Sequence, residues 1–174
     1  MSNQEKICKA IVAGDGGVGK TSLIYNLIGK DENVKFTKGI DFEELSIKLD
    51  ENISLEIVFW DLGGQTQFRY FQGEFFDSAN IILLVFDLNR YTSFLNIEQQ
   101  WLELIKKNKL EKSSILILVG NKADLGQTID DKEIQKFAKL NKIPYIKVSA
   151  KNSENIIQLK ELIISLTNTY FKNH

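Results

Sequence analysis

The stretch Ile7-Cys8-Lys9-Ala10-Ile11-Val12-Ala13-Gly14-Asp15-Gly16-Gly17-Val18-Gly19-Lys20-Thr21-Ser22-Leu23-Ile24-Tyr25-Asn26-Leu27-Ile28 changes character twice. Ile7 to Val12 is apolar and partly β-branched but for Lys9, and reads as a buried strand. Gly14 to Gly19 holds four glycines in six positions, so no regular element can form there. From Lys20 to Ile28 the apolar residues recur at helical spacing. Strand, tight loop and helix in this order make the first unit of an α/β fold.

The remainder repeats that alternation. Leu45, Ile47 and Leu49 alternate with Glu44, Ser46 and Lys48, and Leu55, Ile57 and Phe59 alternate likewise beyond the polar link Asp50-Glu51-Asn52. Period-two runs across a short polar link predict an antiparallel hairpin. Ile81 to Phe86 and Ile115 to Val119 are apolar throughout, as buried strands should be. Between them Phe94, Ile97, Trp101, Leu104 and Ile105 follow a helical period, and Asp130 to Leu140 and Ile156 to Leu166 read as two more helices flanking a short strand, Tyr145 to Val148. The single Pro144 precedes that strand, where a missing N–H is tolerated. The expectation is one α/β domain over residues 1–174, with a mostly parallel six-stranded sheet, one antiparallel edge strand and helices on both faces. Ligands of such sheets bind beyond the carboxyl ends of the strands.

Composition narrows the chemistry. The 174 residues are 43% hydrophobic and 26% charged, in the range of a folded globular chain. Lys and Arg total 22 against 23 Asp and Glu, so no net positive field favours nucleic acid as a partner. One cysteine, Cys8, cannot close an internal disulfide and reads as a buried apolar residue. The single histidine is His174, which leaves no Ser-His or Cys-His pair within the folded region. No run reaches the roughly 18 apolar residues of a membrane span. Met1-Ser2-Asn3 carries no glycine for myristoylation, and the last five residues hold no cysteine to prenylate. The expected setting is cytoplasmic, with any membrane recruitment through partners.

Gly14 to Thr21 satisfies G-x-x-x-x-G-K-[ST] between a strand and a helix. That pattern turns successive N–H groups inward on phosphate oxygens and places a helix N-terminus behind them. Asp15, Gly16, Gly17, Val18, Gly19, Lys20, Thr21 and Ser22 are the candidate phosphate-binding residues, Lys20 for the β- and γ-phosphates and Thr21 for Mg²⁺. Asn121-Lys122-Ala123-Asp124 follows the Ile115–Val119 strand, and Ser149-Ala150-Lys151 follows the next. A carboxylate at Asp124 can accept from both N1–H and the 2-amino group of guanine, a donor pair adenine lacks. Asn121 would tie the two loops, Lys122 would cover a ring face, and the Ala150 N–H would donate to guanine O6.

These motifs, in order over nearly the whole length, resemble the Ras superfamily of small GTPases. The resemblance implies the rest of the site. Phe36-Thr37-Lys38-Gly39-Ile40-Asp41-Phe42 is similar to switch I of the Rab branch, implying Thr37 as a second Mg²⁺ ligand in the GTP state. Trp60-Asp61-Leu62-Gly63-Gly64-Gln65 is similar to the family's D-x-x-G-Q, implying Asp61 on Mg²⁺ through water, the Gly64 N–H on the γ-phosphate and Gln65 orienting the attacking water. Lys20, Thr37, Gly64 and Gln65 are the candidate catalytic set. Loops held by the γ-phosphate relax once it is cleaved, so partners that read them read the nucleotide. The resemblance implies a GTP-hydrolysing monomeric switch served by an exchange factor, an activating protein and effectors.

Departures from the family carry expectations of their own. Gly63 stands where Ras and Rab proteins carry alanine, as in Arf proteins, whereas Gln65-Thr66-Gln67-Phe68-Arg69 is Rab-like. The segment from Lys20 to Thr37 lacks the aromatic residue that stacks on guanine in Ras and Rab proteins, so base affinity rests on Asp124 and Lys122. The two arginines, Arg69 and Arg90, lie outside switch I, and Gly16 stands where a small residue admits an external arginine. Slow unaided turnover, accelerated by an activating protein, is expected. Phe42, Trp60 and Phe75 match a Rab aromatic trio, readable equally as core packing or as a partner surface, with Phe68, Tyr70, Phe71 and Phe76 nearby. Lys106, Lys107, Lys109 and Lys112 read as a solvated helix end. Two other functions stay open at this level: a nucleotide-dependent scaffold with negligible hydrolysis, and an ATP-using enzyme, which Asp124 disfavours.

Overall fold

The computed structural model describes residues 4–31, 39–49, 53–63 and 72–173. The chain order is β1 (Gln4–Ala13), α1 (Lys20–Ile28), β2 (Ile40–Lys48), β3 (Ile53–Leu62), a one-turn α2 (Gln72–Phe75), β4 (Ile81–Asp87), α3 (Tyr91–Asn96), α4 (Glu103–Lys107), β5 (Ile115–Asn121), α5 (Asp131–Asn141), β6 (Tyr145–Lys147) and α6 (Ile156–Asn173). The strands form one six-stranded sheet in the order β2-β3-β1-β4-β5-β6. Every pairing is parallel except β2 with β3, where Leu45 faces Ile57 and Ile47 faces Leu55. The expected architecture is therefore present, with its antiparallel strand at the edge.

Strand order reverses at β1, whose neighbours are β3 on one side and β4 on the other. Chain segments leaving β1 and its neighbours diverge to opposite faces there, opening a crevice above their carboxyl ends. The glycine-rich loop leaves β1 at that point.

Two apolar layers hold the sheet. On one face Leu23, Ile24 and Leu27 of α1 and Leu159 and Ile163 of α6 pack against Ala10, Val12, Ile57 and Leu83. On the other, Phe94, Trp101, Ile105 and Ile134 cover Ile11, Ile82, Leu84 and Phe86. Burying each such side chain contributes about 2 kcal/mol relative to exposure. Cys8 is fully buried in the first layer, as its composition suggested.

Local chemistry sets the helix limits. α1 opens on Gly19 at φ 95° and closes on Gly29 at φ 74°, left-handed conformations that glycine enters without strain. α5 begins where Asp130 accepts a hydrogen bond from the Lys132 N–H at 2.9 Å. The helix expected around Phe94 to Ile105 is interrupted: Ile97–Leu102 winds as a π-helix between α3 and α4. In that wider turn the consecutive residues Trp101 and Leu102 are both 2% exposed.

Candidate nucleotide site

The loop between β1 and α1 is shaped by close backbone contacts. Gly14 has φ 149°, and a Cβ there would lie 2.1 Å from the Val85 carbonyl oxygen of β4. Gly19 has φ 95°, and its Cβ would meet the Asn121 side-chain nitrogen at 2.4 Å. Both positions thus require glycine for conformation and for space. Lys20 is 6% exposed, and its ammonium donates to the carbonyls of Gly14 and Asp15, each at 3.0 Å. The amine therefore lies along the amino-terminal half of the loop, beneath residues 14 and 15. The Thr21 hydroxyl donates to the carboxylate of Asp61, which is 2% exposed at the carboxyl end of β3.

The opposite end of the site is built on Asn121, the last residue of β5 and 1% exposed. Its amide nitrogen donates to the Val18 carbonyl at 2.9 Å, and its oxygen accepts from the Ala150 N–H at 3.0 Å. One side chain thus joins the glycine loop to the loop after β6. Lys122 sits at φ 66°, where its ammonium donates to the Gly17 carbonyl at 2.6 Å and pairs with Asp87 at 2.8 Å. Asp124 accepts from the buried Ser149 hydroxyl at 2.6 Å, which orients one carboxylate oxygen. A cavity of about 320 Å³ is lined by Ser22, Asn121, Lys122, Asp124, Leu125, Ala150 and Lys151. That volume falls within the range of small-molecule sites.

Of the residues singled out in the sequence, Asp15 to Ser22, Asp61, Asn121, Lys122, Asp124, Ser149, Ala150 and Lys151 converge on this crevice. Thr37, Gly64 and Gln65 lie outside the described residues. Several contacts were not anticipated. Asp87 holds Lys122. Arg90 donates from its guanidinium to the Gly16 carbonyl at 2.8 Å. Asn96 and the Trp101 indole N–H both donate to the Asp15 carboxylate, at 2.6 and 3.4 Å. The available signal was the polar residues Asp87, Asn89 and Arg90 at the end of an apolar strand, on the side of the sheet where ligands bind.

The oxygen donors Thr21 and Asp61 meet at the glycine-loop end of the crevice, which suits a hard divalent cation. Among the described residues no group of three or more acidic, histidine or cysteine side chains could hold a metal ion. Mg²⁺ commonly takes one or two protein oxygens and completes its shell with phosphate and water, so two protein donors fit it.

Away from the crevice, the aromatic trio is assembled. Phe42 packs edge-on to Trp60 with ring centroids 4.7 Å apart, Trp60 lies 6.4 Å from Phe75, and Phe42 is 56% exposed. The Lys9 ammonium stands over the Trp60 ring at 3.8 Å. Lys106, Lys107, Lys109 and Lys112 are exposed around the carboxyl end of α4. Among the described residues no helix is long and apolar enough to cross a membrane.

Known proteins share much of this sequence. A sequence model of the Ras family matches residues 9–169. The Ras-related protein Rab-27A of Rattus norvegicus is 34% identical over 173 residues, covering 92% of this chain and 78% of the relative. Rab-27B of the same species is 32% identical, with 92% and 79% covered. Rab-11C of Dictyostelium discoideum is 33% identical over 165 residues, with 92% and 72% covered. With the sheet order, the glycine loop and the Asn121 bridge in place, the chain belongs to the Ras family of small GTPases and is Rab-like within it.

Proposed function

We propose that residues 1–174 form one guanine-nucleotide switch domain that holds GTP or GDP across the crevice between the glycine loop and the Asp124 cavity. The observation that carries this reading is the position of Asn121. A single buried amide ties Val18 to Ala150, so the phosphate end and the base end of the crevice are set at a constant separation.

In this reading Asp124 accepts from N1–H and the 2-amino group of guanine, while Ser149 keeps its carboxylate in the base plane. The Lys122 stem flanks the ring, its ammonium anchored on Asp87 and Gly17. The Ala150 N–H already donates to Asn121, so it serves O6 only by sharing that bond. Backbone N–H groups from Asp15 to Ser22 take the phosphate oxygens, and Lys20 releases its carbonyl partners to bind the β- and γ-phosphates. Thr21 and Thr37 would hold Mg²⁺, and Asp61 would hold it through water. When bound, Mg²⁺ neutralises charge on the terminal phosphates. Gly64 donates its N–H to the γ-phosphate and Gln65 orients the attacking water.

GTP hydrolysis is a property of this family, and the switch reading follows from it. Thr37 and Gly64 hold their loops only while the terminal phosphoryl is present. Exchange factors, activating proteins and effectors engage these loops beside the Phe42-Trp60-Phe75 surface. Vesicle traffic or signalling is the corresponding cellular role, with membrane attachment through partners and the chain itself monomeric.

Two measurements test this. The nucleotide that co-purifies should be a guanine nucleotide, and ATP should not displace it. Single-turnover hydrolysis should fall by at least about tenfold in Gln65→Leu, because the amide that orients water is lost. Equal rates in wild type and Gln65→Leu would leave the scaffold reading standing.

A further inference from the structure

Arg90 lies at the start of α3, far in sequence from the glycine loop it touches. Its guanidinium donates to the Gly16 carbonyl at 2.8 Å, and another of its nitrogens lies 3.7 Å from where a Gly17 Cβ would stand. A guanidinium carries five N–H donors. Among the described residues only the Gly16 bond engages it, and no carboxylate pairs with it. The two acidic side chains nearest in the network are committed elsewhere, Asp87 to Lys122 and Asp15 to Asn96 and Trp101.

The backbone that presents Arg90 is held at several points. The Arg90 N–H donates to the Asp87 carbonyl at 3.0 Å, and the Ser93 hydroxyl donates to the Arg90 carbonyl at 2.7 Å. The same hydroxyl accepts from the Asp87 N–H at 2.9 Å, and the Asp87 carboxylate accepts from the Asn89 N–H at 2.9 Å. Ser93 is fully buried. The corner between β4 and α3 is therefore a rigid mount for one long cationic side chain.

Its location along the crevice follows from Lys20. The phosphate-loop lysine serves the β- and γ-phosphates, and the Lys20 ammonium lies on the carbonyls of Gly14 and Asp15. The terminal phosphoryl thus belongs to the loop's amino-terminal half, and the base to the Asp124 end. Gly16 adjoins that half, so Arg90 stands on the rim beside the terminal phosphoryl.

We propose that Arg90 is a catalytic residue acting in cis, whose guanidinium turns from the Gly16 carbonyl onto the terminal phosphoryl and stabilises the charge that develops during hydrolysis. This rests on the guanine-nucleotide reading of the crevice. In the reaction the water oxygen bonds to the terminal phosphorus, and the bond from that phosphorus to the β–γ bridging oxygen breaks. The bond's electron pair stays on the β-phosphate of GDP, and a water proton ends on the released phosphate. Arg90 stays protonated throughout and supplies only preorganised positive charge. The expectation of slow unaided turnover assumed that the chain has no arginine of its own at the phosphates; Arg90 reaches them from β4–α3 instead of from switch I.

The test is single-turnover GTP hydrolysis by the full chain, comparing wild type with Arg90→Ala and Arg90→Lys, alongside GDP affinity and binding of fluoroaluminate to the GDP form. Fluoroaluminate mimics the phosphoryl group in transit and reports charge stabilisation without turnover. Arg90→Ala should lose roughly 10²-fold in rate, keep GDP affinity within about twofold, and fail to bind fluoroaluminate that wild type binds unaided. Arg90→Lys should recover part of both, and retained GDP binding in either variant shows that it folds. Wild-type rate and wild-type fluoroaluminate binding in Arg90→Ala would overturn the proposal and leave the nucleotide reading intact. So would an equal loss of GDP and GTP affinity with the hydrolysis rate constant unchanged. Absence of GTP binding by wild type would overturn both.

Discussion

The hydroxyl of Ser149 donates to the carboxylate of Asp124 across 2.6 Å, joining the loop after β6 to the loop after β5. A hydroxyl that donates to one carboxylate oxygen leaves the other oxygen, and the second lone pair of the first, to face the cavity. In the proposed site Asp124 is thereby positioned to read donors in one plane.

Changing Asp124→Asn should move nucleotide preference from guanine toward xanthine, because the amide can donate to the 2-oxo group that replaces the 2-amino group. Competition between GDP and XDP on the purified variant measures this. A site that reads the base through Asp124 shows a preference change of at least about tenfold, since one unmatched buried polar contact costs about 1–3 kcal/mol. No change in the ratio would place the base reader elsewhere.

Asn121→Ala should impair both binding and folding. Its removal leaves the Val18 carbonyl and the Ala150 N–H without their shared partner in a buried site. The expected loss is about 2–4 kcal/mol of stability in the nucleotide-free protein, measured by urea denaturation. GDP affinity should fall as well, through independent motion of the two loops. Unchanged GDP affinity would show that the bridge does not set the crevice.

Gly14→Ala should be more damaging than Gly29→Ala, although both have positive φ. The added methyl at Gly14 meets backbone, the Val85 carbonyl oxygen at 2.1 Å, whereas at Gly29 nothing lies within 4 Å. A backbone clash cannot be relieved by a rotamer change. Gly29→Ala should cost about 1 kcal/mol, and Gly14→Ala several-fold more, together with loss of nucleotide binding. Thermal midpoints with and without GDP would distinguish the two.

Cys8 predicts a pH effect. Burial pushes its thiol from 9.0 up to about 12, so the folded chain keeps the proton where the unfolded chain loses it. The unfolded state then binds fewer protons, and stability falls as pH rises above about 9 and toward 12. The slope approaches about 1.4 kcal/mol per pH unit within that window. Denaturation at pH 8 and pH 10 should show this decline reduced in Cys8→Ala. A decline of the same size in both proteins would mean that other groups cause it.

Much of the fold was legible because its signals are local. The alternation of Leu55, Ile57 and Phe59 matched their complete burial. The limits of α1 coincide with the reading of Lys20 to Ile28, since a glycine stands immediately before and after it. The helix around Trp101 was placed correctly but its π turn was not, because apolar spacing does not distinguish an α turn from a slightly wider one when both bury the same residues.

What the amino-acid order settled alone was the succession of strands and helices, the glycine loop and the residue types proposed to face a nucleotide. Each depends on neighbours a few positions apart, through backbone conformation and side-chain period. The three-dimensional arrangement decided that Arg90 rests on Gly16, that Lys122 is held by Asp87 and that Trp101 reaches Asp15. Those partners are separated by 35 to 86 positions, and what brings them together is the sheet order, with its reversal at β1. A contact across strands is a property of their packing, which no local pattern encodes.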